Sequence, residues 1–129
     1  MFSKCKTTKD QGNIGLGEAI AYFMREGHTV SIPVNDSQDY DLVADIDGLL
    51  SKIQVKTTRY ISKGGYYQVS LKSSGGTRGD IYGRVCNSNI DYVFCLTEAG
   101  DKYLLPFIEI ENNRSSITLS DAYEEFKVN

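Results

Sequence analysis

Asp41, Gln54 and Lys56 can share one piece of chemistry if residues 40–56 fold back on themselves. The stretch YDLVADIDGLLSKIQVK holds an Asp47-Gly48 pair between two alternating segments, a strong signal for a two-residue hairpin turn. With those residues in the turn, Asp41 falls opposite Gln54, and Lys56 follows on the same face. Oxygen donors at this spacing suit a hard divalent cation, Mg²⁺ or Mn²⁺. The Asp41 carboxylate would supply the charge, and the Gln54 side-chain oxygen and the Val55 backbone carbonyl the other protein ligands. Lys56 would orient a water or balance charge on a phosphate. Metal-assisted hydrolysis of a phosphodiester needs this set: a polarising metal, an activated water and a cation near the developing charge. Alternating charge is also what a solvated hairpin shows, so the pattern alone leaves both readings open.

The elements that must position these groups follow from periodicity. The other face of the hairpin (Leu42, Ala44, Ile46, Leu49, Ser51, Ile53 and Val55) is almost wholly apolar and is expected against the core. Leu16, Ala19, Ile20 and Phe23 predict a helix over residues 11–26, with Gly27 where a C-terminal cap would sit. Glu18 lies in that helix beside the apolar stripe. HTVSIPV (28–34) reads as a short strand and YYQVSLKS (66–73) as another. Residues 91–110 read as a second hairpin around Glu98–Asp101, with Val93–Leu96 buried. The chain should end in a short helix capped by Ser120. The sum is one α/β domain over residues 1–129, a mixed sheet flanked by helices.

Composition narrows the chemistry. The three cysteines (Cys5, Cys86 and Cys95) are widely spaced and form no C-x-x-C, which argues against a disulfide framework or a zinc knuckle. A single histidine, His28, leaves little for a histidine metal site or a Ser-His-Asp triad; a strand-edge role is expected for it. Gly12, Gly15 and Gly17 precede no Lys-Ser/Thr pair and make no nucleotide loop. Asp91 reads as a structural hydrogen-bonding residue. No apolar run approaches a membrane span, and the N-terminus has no signal-peptide core, so a cytoplasmic protein is expected.

The net charge is −3, but it is unevenly spread. Between Lys52 and Arg84 stand seven basic residues and one acidic residue, Asp80. A basic face on an acidic body suits a phosphate backbone, although a solvated strand face accounts for it as well.

The site residues resemble the PD-(D/E)XK nuclease superfamily, in which Asp…(Asp/Glu)-x-Lys crosses a hairpin after a helix bearing a glutamate. Here the pattern is Glu18 … Tyr40-Asp41-Leu42 … Gln54-Val55-Lys56. The string GEAIAYFMREGHTVSIPVNDSQDYDLVADIDGLLSKIQVKTTR is similar to the group I intron-associated homing endonuclease branch. Members of that branch share a helix glutamate, a strand ending in proline, then YDL and QVK. YGRVCNSNIDYVFCL and KYLLPFIEI extend the similarity over residues 12–110.

The resemblance implies a restriction-endonuclease-like core and a Mg²⁺-dependent DNA endonuclease. In it Asp41 is the principal metal ligand, Lys56 the catalytic lysine, and Glu18 approaches the metal directly or through water. Gln54 stands where the superfamily usually has an acid, so one charge is missing. Tyr40 replaces the proline, as recurs in this branch. Candidate DNA contacts are Arg59, Lys63, Lys72, Arg78 and Arg84, with Tyr60, Tyr66 and Tyr67 interleaved. Glycines 75, 76 and 79 would let their loop order on DNA. The partner would be double-stranded or branched DNA, and one active site per chain suggests a homodimer or homotetramer. A Holliday-junction resolvase, a non-cleaving DNA-binding protein on the same fold and a host-restriction or toxin nuclease are the alternatives.

Overall fold

The computed structural model describes residues 1–35, 37–71, 90–110 and 115–129. Helix α1 (Thr8–Arg25) is followed by β1 (Thr29–Ser31), β2 (Leu42–Ile46), β3 (Leu49–Thr58), β4 (Gln68–Ser70), β5 (Tyr92–Thr97), β6 (Lys102–Pro106), β7 (Ser116–Thr118) and β8 (Lys127–Val128). The described strands make a mixed six-stranded sheet, ordered β1-β2-β3-β5-β6-β8, and a separate pair, β4-β7. Among them only β3 and β5 run parallel; the other pairings are antiparallel.

α1 begins three residues earlier than periodicity predicts. Thr7 accepts from the Asp10 amide at 3.1 Å, and the Asp10 carboxylate accepts from the Thr7 amide at 3.1 Å. This reciprocal capping box satisfies donors that the first turn leaves open. At the other end Gly27 takes a φ of +82°, the left-handed geometry that favours glycine after a helix.

The hairpin has the expected register. Leu42 faces Ile53, Val43 faces Lys52 and Ile46 faces Leu49. Asp47 and Gly48 carry φ of +54° and +89°, the signature of a turn whose twist matches its strands. The Asp45 carboxylate accepts from the Gly48 amide at 2.9 Å and braces the turn.

Strand alternation separates two apolar layers. On one face Leu42, Ala44, Ile53, Phe94 and Leu96 pack with Phe2 and with Ala19, Tyr22 and Phe23 of α1. On the other face Val93, Cys95, Tyr103 and Leu105 pack with Val69, Leu71, Ile110, Ile117 and Leu119, so that β4 and β7 roof the sheet. Each fully buried aromatic or branched side chain contributes about 1.5–3 kcal/mol.

Three expectations need correction. Leu49 is exposed rather than core-facing, at the end of β3 next to the Asp47-Gly48 turn. Of the strand predicted over 66–73, the described residues form strand at Gln68–Ser70, which joins the small sheet; residues 72–73 lie outside the described residues. The C-terminal helix is a 3₁₀ segment, Asp121–Phe126, and the Ser120 side chain makes no capping bond. The expected Asp91 role holds: its carboxylate accepts from the Lys52 amide at 2.8 Å, and its own amide donates to the Lys52 carbonyl at 2.9 Å.

Candidate active site

Asp41 lies one residue before β2, where that strand ends alongside β3. Its amide donates to the Ile53 carbonyl at 2.8 Å, which continues the ladder by one more bond. Its Oδ2 then takes two further bonds, from the Val55 amide at 2.7 Å and from Gln54 Nε2 at 3.0 Å. In an extended strand, the N–H and C=O of one residue point to the same edge. The Val55 carbonyl therefore faces the edge where Asp41, rather than a residue of β2, lies alongside. One carboxylate and one amide side chain meet beside the first residue of β2, and strand geometry turns the Val55 carbonyl to the same edge.

Lys56 shares a face with Gln54 and pairs in register with Cys95 of β5. That face carries the layer roofed by β4 and β7. Burial pushes the Lys56 ammonium below its ordinary range, while Asp41 and Cys95 draw it back up. Burial pushes Asp41 up, and the Val55 amide and the Lys56 charge act against that rise. Cys95 is fully buried; burial lifts its thiol to about 12, against the pull of Lys56, so it stays protonated. The site thus sets a carboxylate and an amine together in a part-desolvated position, where their interaction is stronger than in water.

Sequence reasoning missed Cys95 as the neighbour of Lys56. The run Val93–Leu96 reads as uniformly buried, and only the parallel register of β3 and β5 shows which of its residues shares the lysine's face.

The other anticipated residues fall elsewhere. Glu18 is on α1, which packs on the opposite face: a Cβ on Gly15 would meet Thr57 and Val55, and Gln11 Nε2 donates to Thr57 Oγ1 at 2.8 Å. The Glu18 carboxylate lies 3.5 Å from the Lys102 ammonium on β6. Its described partner is therefore Lys102, not the Asp41 cluster. Arg59 donates to the Phe2 carbonyl at 2.9 Å, lies 3.3 Å from Glu98 and covers the Phe2 ring. Tyr60 and Lys63 are exposed beyond the end of β3. Tyr67 is half-buried, and Tyr66 gives its hydroxyl to Asp121 at 3.2 Å. Lys72, Arg78, Arg84 and the glycines at 75, 76 and 79 lie outside the described residues. His28 sits just before β1, with its ring centroid 6.4 Å from that of Phe23.

No cluster of three or more Asp, Glu, His or Cys side chains able to hold a metal occurs among the described residues. The converging donors fit a hard cation that keeps several waters and takes further oxygens from a bound phosphate. They do not make a closed cage.

Comparison with known proteins gives the family and the fold. The model of the PD-(D/E)XK endonuclease family matches residues 6–127. Among solved structures, the bacterial homing endonuclease I-Ssp6803I is similar, with 26% identity and a TM-score of 0.69 over 94% of this chain and 87% of that one. The comparison with curated proteins found no match. The family match spans the capping box, the large sheet as far as Lys127 of β8 and the Asp41–Gln54–Lys56 cluster, and the chain belongs to the PD-(D/E)XK endonuclease family.

Proposed function

We propose that this protein is a Mg²⁺-dependent endonuclease that hydrolyses DNA phosphodiesters in the manner of a homing endonuclease. The observation that carries the reading is the Asp41 carboxylate, held by Val55 and Gln54 beside a part-desolvated Lys56. Family membership and likeness to a homing endonuclease support it.

Asp41, the Gln54 side-chain oxygen and the Val55 carbonyl would hold the ion, which would polarise the scissile phosphate and lower the pKa of a bound water. The Val55 amide fixes the Asp41 carboxylate before substrate arrives, so no reorganisation is needed during the reaction. Lys56 sits on a rigid strand and presents an amine to the developing phosphate charge or to the attacking water. Because Gln54 is neutral, much of the ion's affinity must come from substrate oxygens. Cutting both strands needs two copies of this single site, so a homodimer or homotetramer is part of the proposal.

The test is cleavage of supercoiled plasmid, linear duplex and a four-way junction, with Mg²⁺ or EDTA, by wild type and Lys56→Ala. The expected result is Mg²⁺-dependent cutting that falls by roughly 100-fold or more in the variant. Preference for the junction irrespective of sequence would replace homing with junction resolution. DNA binding with no metal-dependent cutting on any substrate would overturn the enzymatic reading.

A further inference from the structure

β3 does not end at the active site. Beyond Lys56 the chain runs through Thr58 into a tight hairpin over residues 60–67. Ile61 and Tyr67 bridge antiparallel, the Ser62 amide donates to the Tyr66 carbonyl at 2.8 Å, and the Gly65 amide donates to the Ser62 carbonyl at 3.0 Å. The Ser62 hydroxyl adds a bond to the Tyr66 carbonyl at 3.0 Å. The base is equally fixed. Buried Thr58 gives its hydroxyl to the Gln68 carbonyl at 2.6 Å and receives the Tyr60 amide at 3.1 Å, and the Gln68 amide closes on the Tyr60 carbonyl at 2.9 Å. Asp121 holds Tyr66 from one side.

This stiff ribbon carries side chains that the domain's own core does not use. Tyr60 is 61% exposed and Ile61 52% exposed, and Lys63 is exposed at the tip. A partner with a negative surface and stackable or methyl-bearing edges fits that combination. Two paired strands lie about 4.8 Å apart, and with side chains they match a groove about 12 Å wide but not one about 6 Å wide.

We infer that the 60–67 hairpin is a major-groove reading element for duplex DNA, with Tyr60, Ile61 and Lys63 as its reading edge. This rests on the proposed DNA substrate and goes beyond it by setting where bases are read. Seven residues separate Lys56 from Lys63, which spans at most about 24 Å of extended chain. At about 3.4 Å per base pair, that backbone length corresponds to roughly seven pairs, to which the side chains add their own reach. Tyr60, four residues from Lys56, reaches roughly four pairs.

Two measurements test this on the full chain. The first is equilibrium binding to a pool of random 30-bp duplexes, with or without glucosylated cytosines that fill the major groove. Wild type should lose roughly tenfold in affinity on the glucosylated pool. Tyr60→Ala combined with Lys63→Ala should bind plain duplex roughly tenfold more weakly, melt at the wild-type temperature, lose little more on glucosylation, and show a salt slope smaller by about one. The second is cleavage of a plasmid pool carrying a randomised segment, with the cut ends sequenced. Wild-type base preferences at about four to seven pairs from the cut should flatten in the variant.

Equal binding by wild type and variant, equal loss on glucosylated DNA in both, or base preferences left unchanged in the variant would each overturn the inference. If binding changes as expected while no DNA is cut, the nuclease reading falls and the groove contact stands.

Discussion

Gln54 donates its side-chain amide to Asp41 Oδ2 at 3.0 Å, so a neutral residue stabilises the carboxylate where the family's signature places a second acid. The expected consequence is a site assembled without metal. In Gln54→Glu a second negative charge would replace that donor. Two adjacent carboxylates repel, and one is driven to hold a proton. In EDTA at neutral pH the variant should be about 1–3 kcal/mol less stable than wild type. Added Mg²⁺ should restore it, with a larger melting shift than in wild type, because added ligand charge tightens binding of a hard cation. Thermal melts against Mg²⁺ concentration measure this, and an equal Mg²⁺ response in the two proteins would count against the ligand assignment.

Asp41 also imposes a pH dependence on folding. Burial holds its carboxyl above the ordinary range, with the Val55 amide and Lys56 pulling the other way. The folded protein therefore keeps the Asp41 proton to a higher pH than the unfolded chain does. Below the unfolded value both states are protonated, and the favourable contribution is complete. As pH rises through the interval up to the folded value, the unfolded chain ionises first and stability is lost. An asparagine at this position cannot ionise, while its oxygen can still accept the Val55 amide. Metal-free Asp41→Asn should gain stability relative to wild type as pH rises from the ordinary aspartate value, about 3.9, through the raised folded value. A pH-independent difference in melting temperature would show that the carboxylate is not desolvated.

Arg59 separates the charge pattern from the contacts. Sequence places it in the basic third, as a phosphate contact. In the fold its guanidinium closes on the Phe2 carbonyl and Glu98. Removing it would take one of two donors from that carbonyl, which would still accept from the Cys5 amide at 3.0 Å, and would break a half-exposed ion pair. Arg59→Ala should therefore cost about 1 kcal/mol of stability. The salt dependence of duplex binding should stay at the wild-type slope, whereas loss of a phosphate contact would reduce it by about one. Denaturant unfolding and salt-titrated binding report the two effects separately.

The hairpin register was legible because one dipeptide set it: Asp47 and Gly48 fix the turn, and the Leu42–Ile53 pairing follows. The Asp41–Gln54–Lys56 cluster was legible for the same reason, since alternation alone puts those positions on one face. Glu18 was not. Helical periodicity says that it borders the apolar stripe but not which sheet face receives the stripe, and its carboxylate ends beside Lys102. The pairing of Lys56 with Cys95 joins strands far apart in sequence, and no local signal encodes that register. The early start of α1 was written in Thr7-x-x-Asp10, a capping pattern that lies before the first apolar position.

Gly15 governs how closely α1 approaches the strand that carries Lys56. A Cβ there would collide with Thr57 Cγ2 and lie 3.2 Å from Val55 Cγ1. Thr57 cannot readily turn away, because its hydroxyl accepts from Gln11 Nε2 at 2.8 Å and its branched side chain has few rotamers. Alanine gains up to about 1 kcal/mol in helix preference over glycine, but overpacking costs about 1–3 kcal/mol, so the clash should win. Gly15→Ala should lower stability and shift β3, reducing cleavage as well. Gly12 and Gly17 are on the same helix with nothing within 4 Å of an added Cβ, so Gly12→Ala and Gly17→Ala should stabilise by about 0.5–1 kcal/mol. Denaturant unfolding of the three variants decides the matter. If all three change stability in the same direction, the close helix–strand contact is not what requires glycine at residue 15.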